Sequence, residues 1–126
     1  METYVSFFRY APAAWDRMVA EPGDRGEAAS RLIEAMGGHM RGFWWMFGEW
    51  DGLCVYQVPE TVTAAAMTAA MLTSRVLAGV QTHRLIDAGE ARAALERAHD
   101  AQQAIVPPGG SAWYADYDAL GAAPGA

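Results

Sequence analysis

The chain has 126 residues, 52% hydrophobic and 19% charged, so it is long enough for one folded domain and is not a disordered chain. Its formal charge is −6, and its nine basic residues are all arginines scattered along the sequence, which argues against binding to nucleic acid or to an anionic membrane. The single cysteine, Cys54, excludes an internal disulfide, and with no secretory signal and no apolar run of ~20 residues in the sequence we expect a cytoplasmic protein.

The N-terminal third predicts a strand followed by a helical region. Residues 3–10 are dense in β-branched and aromatic side chains, and large apolar groups alternate onto both faces of the predicted strand. Residues 12–36 predict a helical region that is interrupted at Pro22-Gly23. In its second part the apolar stripe comprises Ala28, Ala29, Leu32, Ile33 and Met36, and the residues expected outside it are Arg25, Glu27, Arg31 and Glu34.

The middle of the chain predicts a hairpin, a helix and a fourth strand. Residues 39–47 and 53–58 predict two strands, because apolar runs flank a Gly-Glu-Trp-Asp-Gly turn. An Ala- and Met-rich helix is expected from residue 61 to about residue 74. We expect Gly79 to end the connection, and residues 80–86 to form the fourth strand.

The C-terminal part predicts an extra helix and a tail. Residues 89–103 have a thin apolar side with charged flanks and predict the extra helix. A Pro-Pro-Gly-Gly linker then divides the predicted organisation into a domain of residues 1–104 and a tail of residues 105–126. In the tail a short helix is predicted with Trp113, Tyr117 and Leu120 on one side and Gly121 at its end, as a hook across a partner subunit or as a lid.

The element order predicts an α+β fold. The order β-α-β-β-α-β gives a ferredoxin-like, four-stranded antiparallel sheet with both helical crossovers on one face. The opposite face would be bare in a monomer, and its candidate residues are Tyr4 or Phe8, Trp44 or Trp45, and Tyr56. Because such an aromatic face is normally covered, we expect a homodimer in which two sheets pack face to face.

Five short segments resemble the GYD-domain family, whose signature is Gly-(Glu)-Tyr-Asp. They are Thr3-Tyr4-Val5, Gly37-Gly38, Gly48-Glu49-Trp50-Asp51, Pro59-Glu60 before the Ala-rich helix, and Val80-Gln81-Thr82 before Leu85. The similarity covers roughly residues 3–95, with Trp50 where the family usually has Tyr. It implies a ferredoxin-like fold of the dimeric α+β barrel type. Related barrels include cofactor-independent monooxygenases, polyketide cyclases, haem-degrading or haem-binding enzymes and plain ligand binders, so the fold does not fix the function.

His83 is the first candidate for catalysis, because it falls on the fourth strand near the middle of the sheet. A histidine directed into a barrel pocket could transfer a proton near neutral pH or ligate haem iron. Tyr10, Tyr56 or Tyr4 would then orient a substrate oxygen. The alternative is a histidine that is exposed or hydrogen-bonded in the core. The three histidines lack the close spacing of a zinc site, and we expect neither a metal nor a cofactor.

Aromatic and basic side chains on the strands are candidates for substrate binding. Phe8, Trp44 and Trp45 could line an aromatic pocket, although a dimer core explains them equally well. Arg9 and Arg84 alternate onto sheet faces and could neutralise a carboxylate of the ligand. A salt bridge to a neighbouring Glu is the alternative for both arginines.

Two carboxylates and the thiol have weaker claims to chemistry. Glu49 and Asp51 bracket Trp50 and could act as an acid/base pair, whereas the commoner role is to hold the turn through backbone N–H groups. Cys54 lies between apolar neighbours, so we expect it to be a buried, unreactive thiol.

Two functions of different kinds follow from these patterns. The first is a small-molecule enzyme that carries out metal-independent proton-transfer chemistry on a planar or aromatic substrate, as a monooxygenase, cyclase or isomerase/lyase. The second is a non-catalytic dimeric module that binds a ligand or regulates a partner. An open pocket with His83 and a tyrosine directed into it would favour the first.

Overall fold

The computed structural model describes residues 1–119, and for residues 117–119 only the backbone. Leu120 and Gly121 of the predicted tail helix lie outside the described residues. In chain order the elements are β1 (Glu2–Tyr10), α1 (Pro12–Ala20), α2 (Arg25–Ala35), β2 (His39–Trp45), β3 (Gly52–Val58), α3 (Thr61–Thr73), β4 (Leu77–Leu85), α4 (Ala88–Ala101), a 3₁₀ turn (Gln102–Ala104) and α5 (Ala112–Ala119).

The first crossover consists of two short helices because its sequence contains both a stop and a new start. α1 has Pro12 in its first turn, where the missing N–H has no helical partner, and it ends ahead of Pro22. α2 starts after Asp24, whose side chain accepts a hydrogen bond of 2.9 Å from the backbone N–H of Glu27. Gly37, with a φ of 83°, follows the helix where the chain reverses toward β2.

The four strands form one antiparallel sheet in the order β2-β3-β1-β4. β1 is therefore an interior strand, as its two apolar faces predict. The hairpin β2–β3 and the two helical crossovers give the ferredoxin-like arrangement, and the predicted α+β class is confirmed.

Two strand boundaries differ from the predicted ones by more than one residue. β2 ends at Trp45 because Phe47 has a φ of 53°, which lies outside the extended region. β4 begins at Leu77, and Gly79 lies within the strand, paired with Arg9 of β1. The expectation that Gly79 ends the connection is wrong, because β4 starts two residues before it and Gly79 is already paired within the sheet.

The helices cover the face of β1 that carries Tyr4, Ser6, Phe8 and Tyr10, all of which are buried. Predicting Tyr4, Phe8 or Tyr56 on the uncovered face is wrong, because all three side chains lie on the helix side. The aromatic residue of β2 on the face away from α2 and α3 is Trp44, which is 54% exposed and pairs with Leu53. Strand alternation then places Val5 and Phe7 on this open face.

The hydrophobic core lies between the sheet and the helices α2 and α3. Its buried members are Tyr4, Ile33, Cys54, Tyr56, Val58, Ala64 and Met67. The Ala-rich composition of α3 lets that helix approach β3 and β4 closely. The core therefore lies on the face of the sheet that α2 and α3 cover.

The chain forms two compact units, Met1–Ile86 and the part from Asp87 onward. In the second unit, α4 starts with a capping box in which Asp87 and Glu90 each accept a hydrogen bond from the other's backbone N–H. α5 lies in the predicted tail, and the predicted boundary at residues 104/105 stays a prediction. Within residues 1–119 no helix is long and apolar enough to cross a membrane.

Candidate functional site

A cavity of about 280 Å³ lies between the sheet and the helices α2 and α3. Small residues among those that line it leave space between the two layers: Ser6 on β1, Cys54 on β3, and Ala28 and Ala29 on α2. Larger apolar side chains, among them Phe8, Leu32, Phe43, Met67 and Met71, form the rest of its wall. Its volume is close to the lower end of ligand pockets, ~300 Å³, so it suits a small molecule.

Four hydroxyl groups form a hydrogen-bonded chain at this apolar cavity, and three of them, those of Ser6, Tyr56 and Thr68, belong to residues that line it. The Ser6 Oγ lies 2.9 Å from the Tyr56 hydroxyl and 2.8 Å from the Thr82 Oγ1. Thr82 is in turn 3.1 Å from the Thr68 Oγ1, and Thr68 donates to the backbone carbonyl of Ala64 at 3.0 Å. Strands β1, β3 and β4 and helix α3 therefore each supply one hydroxyl.

The carbonyl at the end of the chain fixes the direction of its protons. Each hydroxyl has one proton, and that of Thr68 is donated to Ala64. The Thr82 proton then goes to Thr68, the Ser6 proton to Thr82, and the Tyr56 proton to Ser6. The phenolic oxygen of Tyr56 is consequently left as a hydrogen-bond acceptor for a group in the cavity.

The ionisable groups of the sheet side are neutral near pH 7. Burial raises the pKa of the Cys54 thiol from 9.0 to about 11, so the thiolate nucleophile is not formed. Burial also raises the pKa of Tyr56, and its hydrogen bond to Ser6 only partly opposes this. For Tyr10 burial likewise raises the pKa, and the nearby Arg25 partly offsets it.

Arg25 is the charged side chain among the described residues that line the cavity. Its guanidinium carbon lies 5.9 Å from the centre of the Tyr10 ring, a cation–π contact. Arg25 also borders two shallower clefts on the surface, so it is placed where the cavity meets the solvent. Its Nε is buried and has no hydrogen-bond partner within the described part of the chain.

An aromatic cluster surrounds this end of the cavity. It consists of Phe8, Tyr10, Trp15, Phe43, Trp45 and Phe47. Tyr10 and Trp45 stack with their ring centres 5.4 Å apart, and Phe8 and Phe43 stack at 5.3 Å. These flat surfaces beside the cavity suit a planar ligand.

The structure does not bring the three predicted catalytic residues together within one chain. Tyr10 and Tyr56 both line the cavity. His83 is exposed and pairs with Val5, so it lies on the open face and contacts the edge of the Phe7 ring. The adjacent residue, Thr82, takes the inward position because strand side chains alternate.

Of the predicted substrate-binding residues, Phe8 lines the cavity and Trp45 borders the clefts next to it. Trp44 and Arg9 lie away from it on the open face, where the Arg9 guanidinium lies 4.7 Å from the Trp50 ring. Arg84 forms an ion pair of 3.5 Å with Glu2, so the salt-bridge alternative holds for this residue.

Asp51 has the structural role that was the alternative to acid/base chemistry. Its Oδ2 accepts a hydrogen bond of 2.7 Å from the backbone N–H of Tyr10 and one of 3.2 Å from the Trp15 indole N–H. The carboxylate thus ties the β2–β3 turn to the end of β1 and to α1. Glu49, two residues away, is exposed.

Arg25 is the residue that sequence reasoning missed. It was expected outside the apolar stripe of α2, which is wrong, since it lines the cavity together with Ala28, Ala29, Leu32 and Ile33. The signal was the spacing: these positions follow Arg25 at i+3, i+4, i+7 and i+8, the helical interval of a single face.

The sequence matches the family model of the GYD domain over residues 4–95. None of the curated proteins compared with the chain matches it. The matched region includes the sheet from Tyr4 onward, α2, α3 and every residue of the cavity described above. It also contains Asp51, whose carboxylate links the β2–β3 turn to β1. The chain therefore belongs to the GYD-domain family.

Proposed function

We propose that this protein binds a small, planar and largely apolar molecule in the cavity between the sheet and the helices α2 and α3. The observation that carries the proposal is an apolar cavity of about 280 Å³ whose sheet side has an ordered chain of hydroxyl groups. Unfilled apolar space in a protein costs ~24 cal/mol per Å³, which favours an apolar occupant. The neighbouring aromatic cluster favours a flat one.

The direction of the hydroxyl chain selects the polar group of the ligand. Since the Tyr56 proton is donated to Ser6, the phenolic oxygen can accept a hydrogen bond from a ligand hydroxyl. A phenol or another planar alcohol therefore suits this end of the cavity better than a ketone. An unsatisfied ligand hydroxyl would cost ~1–3 kcal/mol, so this acceptor contributes to specificity.

Proton-transfer catalysis is the second candidate, and the observation that favours it is the contact of Tyr56 with the Ser6–Thr82–Thr68 chain. Tyr56 would hold the hydroxyl of a phenolic substrate, and a concerted rotation of the four hydroxyl groups, with each keeping its own proton, would let Tyr56 donate a hydrogen bond instead. The chain ends at the Ala64 carbonyl, which does not retain a proton at neutral pH. The chain thus reorients hydrogen bonds, whereas a net proton would have to come from the substrate. A metal-independent monooxygenase, cyclase or isomerase belongs to this class.

A homodimer is part of the proposal, with a second copy of the chain on the open face of the sheet. Phe7, Leu53 and Val55 on this face are half-buried, and Trp44 is 54% exposed. A two-fold axis would place the same apolar surface of a second copy against it. Trp44→Glu should lower the dimer fraction in analytical ultracentrifugation, whereas Val62→Glu, at a 70% exposed position of α3 on the other side of the sheet, should not.

The cavity is tested by filling it. Ala29→Leu adds volume inside the cavity, and Ala35→Leu adds the same atoms at an exposed position of the same helix. Native mass spectrometry of the freshly purified protein should show added mass that Ala29→Leu reduces and Ala35→Leu keeps. With 2-naphthol as the probe in calorimetry, Ala29→Leu should weaken binding at least ~10-fold. Equal binding by both variants would contradict the proposed site.

The polar end is tested with Tyr56→Phe, which keeps the ring and removes the phenolic oxygen. Naphthalene, which has no hydroxyl, should bind the variant and the wild-type protein equally. The affinity for 2-naphthol should fall by roughly 5- to 10-fold, corresponding to a net hydrogen bond of ~1 kcal/mol. A variant that keeps its full preference for 2-naphthol would show that Tyr56 does not select the hydroxyl.

A further inference from the structure

Arg25 has a position that neither the fold nor the hydroxyl chain requires. It is the first residue of α2, and its side chain extends along the apolar stripe of the helix to the cavity. A solvent-directed arginine would hydrate all of its N–H groups, whereas here the Nε is buried without a partner among the described residues. A buried donor of this kind is satisfied when an acceptor enters the site.

The neighbouring carboxylates do not supply that acceptor. Asp24 accepts from the backbone N–H of Glu27 as the cap of α2, and Glu27 forms an ion pair with Arg31. Asp51 accepts from Tyr10 and Trp15. Arg25 has a side-chain hydrogen bond with Tyr10, whose hydroxyl is neutral, so the positive charge of Arg25 has no carboxylate partner among the described residues.

From these contacts we infer that the ligand is an aromatic carboxylic acid whose carboxylate binds Arg25. The inference rests on the proposed binding function and names the class of ligand for that cavity. An arginine prefers carboxylates because its planar N–H groups match the two oxygens, and hydrogen bonds between such ions are stronger than neutral ones. The stacked rings of Tyr10 and Trp45 beside Arg25 would contact the ring that bears the carboxylate.

The two polar ends of the cavity are separated along β1. Arg25 lies over the ring of Tyr10, whereas the hydroxyl chain is built on Ser6. Four residues of an extended strand span about 13 Å at ~3.3 Å per residue. A fused or linked pair of rings with a carboxylate at one end and a hydroxyl at the other matches this arrangement. The walls between the two ends are apolar, among them Phe8 and Leu32.

The experiment compares 6-hydroxy-2-naphthoate with 6-hydroxy-2-naphthamide, which has the same shape and no charge. Calorimetry with the full-length protein at pH 7 should give a Kd for the carboxylate that is roughly 10- to 100-fold lower than for the amide. Arg25→Gln should abolish this preference and leave the affinity for the amide nearly unchanged. Arg31→Gln is the matched control on the same helix, because Arg31 is exposed, and it should keep the preference.

The outcomes separate the inference from the proposed function. If the amide and the acid bind with equal affinity, or if Arg25→Gln keeps the preference, the carboxylate assignment is overturned while the cavity proposal stands. If neither compound nor 2-naphthol binds the wild-type protein, the proposed function itself fails and the inference with it. If Arg25→Gln does not fold, the comparison of acid and amide on the wild-type protein still tests the carboxylate assignment. Arg25→Lys then replaces Arg25→Gln: it keeps the positive charge but loses the paired N–H geometry. This variant should show a preference for the acid that is intermediate between the wild-type value and none.

Discussion

Replacing Asp51 with Ala tests whether the family's signature aspartate is structural. Its carboxylate accepts from the backbone N–H of Tyr10 at 2.7 Å and from the Trp15 indole at 3.2 Å. In the Asp51→Ala variant both donors lose their acceptor at a half-buried position. The turn between β2 and β3 would lose its side-chain attachment to β1 and to α1.

The expected cost is the sum of two unequal hydrogen bonds. The short bond to the backbone is charge-assisted and contributes ~1.5–3 kcal/mol, and the longer bond to the indole contributes ~0.5–1.5 kcal/mol. We expect Asp51→Ala to lower the free energy of unfolding by about 2–4.5 kcal/mol. Asp51→Asn keeps an acceptor oxygen without the charge, so its cost should be roughly half of that.

Urea denaturation followed by tryptophan fluorescence measures this change, because Trp15 and Trp45 lie beside the aspartate or in the cluster it supports. Glu49→Ala is the matched control: it removes an exposed carboxylate two residues away and should change stability by less than ~0.5 kcal/mol. If Asp51→Ala is as stable as the wild-type protein, or if Glu49→Ala costs as much, the bridging role of Asp51 is refuted.

Three further predictions concern stability. Burial raises the pKa of Cys54 from 9.0 to about 11, so the contribution of the neutral thiol to stability is fully present below pH 9. As the pH rises toward 11 the free energy of unfolding should fall by up to about 2.7 kcal/mol, and Cys54→Ala should reduce this fall in urea titrations. Hydrogen bonding, first from the Tyr4 hydroxyl, lowers the pKa of Glu2 below 4.5. The contribution of the Glu2 carboxylate to stability is therefore present above pH 4.5 and is lost as the pH falls below it, so the melting temperature of Glu2→Gln should fall less on acidification than that of the wild-type protein. A Cβ on Gly38 would lie 2.2 Å from a backbone carbonyl oxygen of β3, so Gly38→Ala should cost about 3 kcal/mol or more in denaturant titrations, whereas Gly23→Ala, with no atom within 4 Å, should cost almost nothing.

Much of the fold was predictable because local patterns determine it. Local sequence patterns identify each element: residues 3–10 alternate as in a strand, and the Gly-Glu-Trp-Asp-Gly turn between two apolar runs is typical of a hairpin. The Ala-rich segment has the composition of a helix. The order of these elements then leaves the ferredoxin-like sheet as the simple arrangement. The ends of elements were less predictable. The sequence predicted that β2 extends to Phe47, but Phe47 has a positive φ and the strand ends before it.

The candidate site was only partly predictable, because membership of a face depends on a choice that the pattern does not make. Tyr10, Tyr56 and Phe8 were named from the sequence and do line the cavity. His83 was named with them but lies on the opposite face of the sheet. The neighbouring residue, Thr82, is the one on the cavity side, because adjacent strand residues face opposite sides. In a strand with large groups on both faces, the alternation alone does not say which set faces the helices.

The sequence by itself determined the elements, their order and hence the topology of the sheet, since these follow from periods of two and 3.6 residues and from turn and capping residues. Only the tertiary structure decided which face of β1 the helices cover, that four hydroxyls from four elements meet, and that Arg25 reaches the cavity. The physical reason is that these are contacts between residues far apart in the chain. They depend on the register of the strands and on the rotation of α2 about its axis, and both are fixed when the apolar faces pack together.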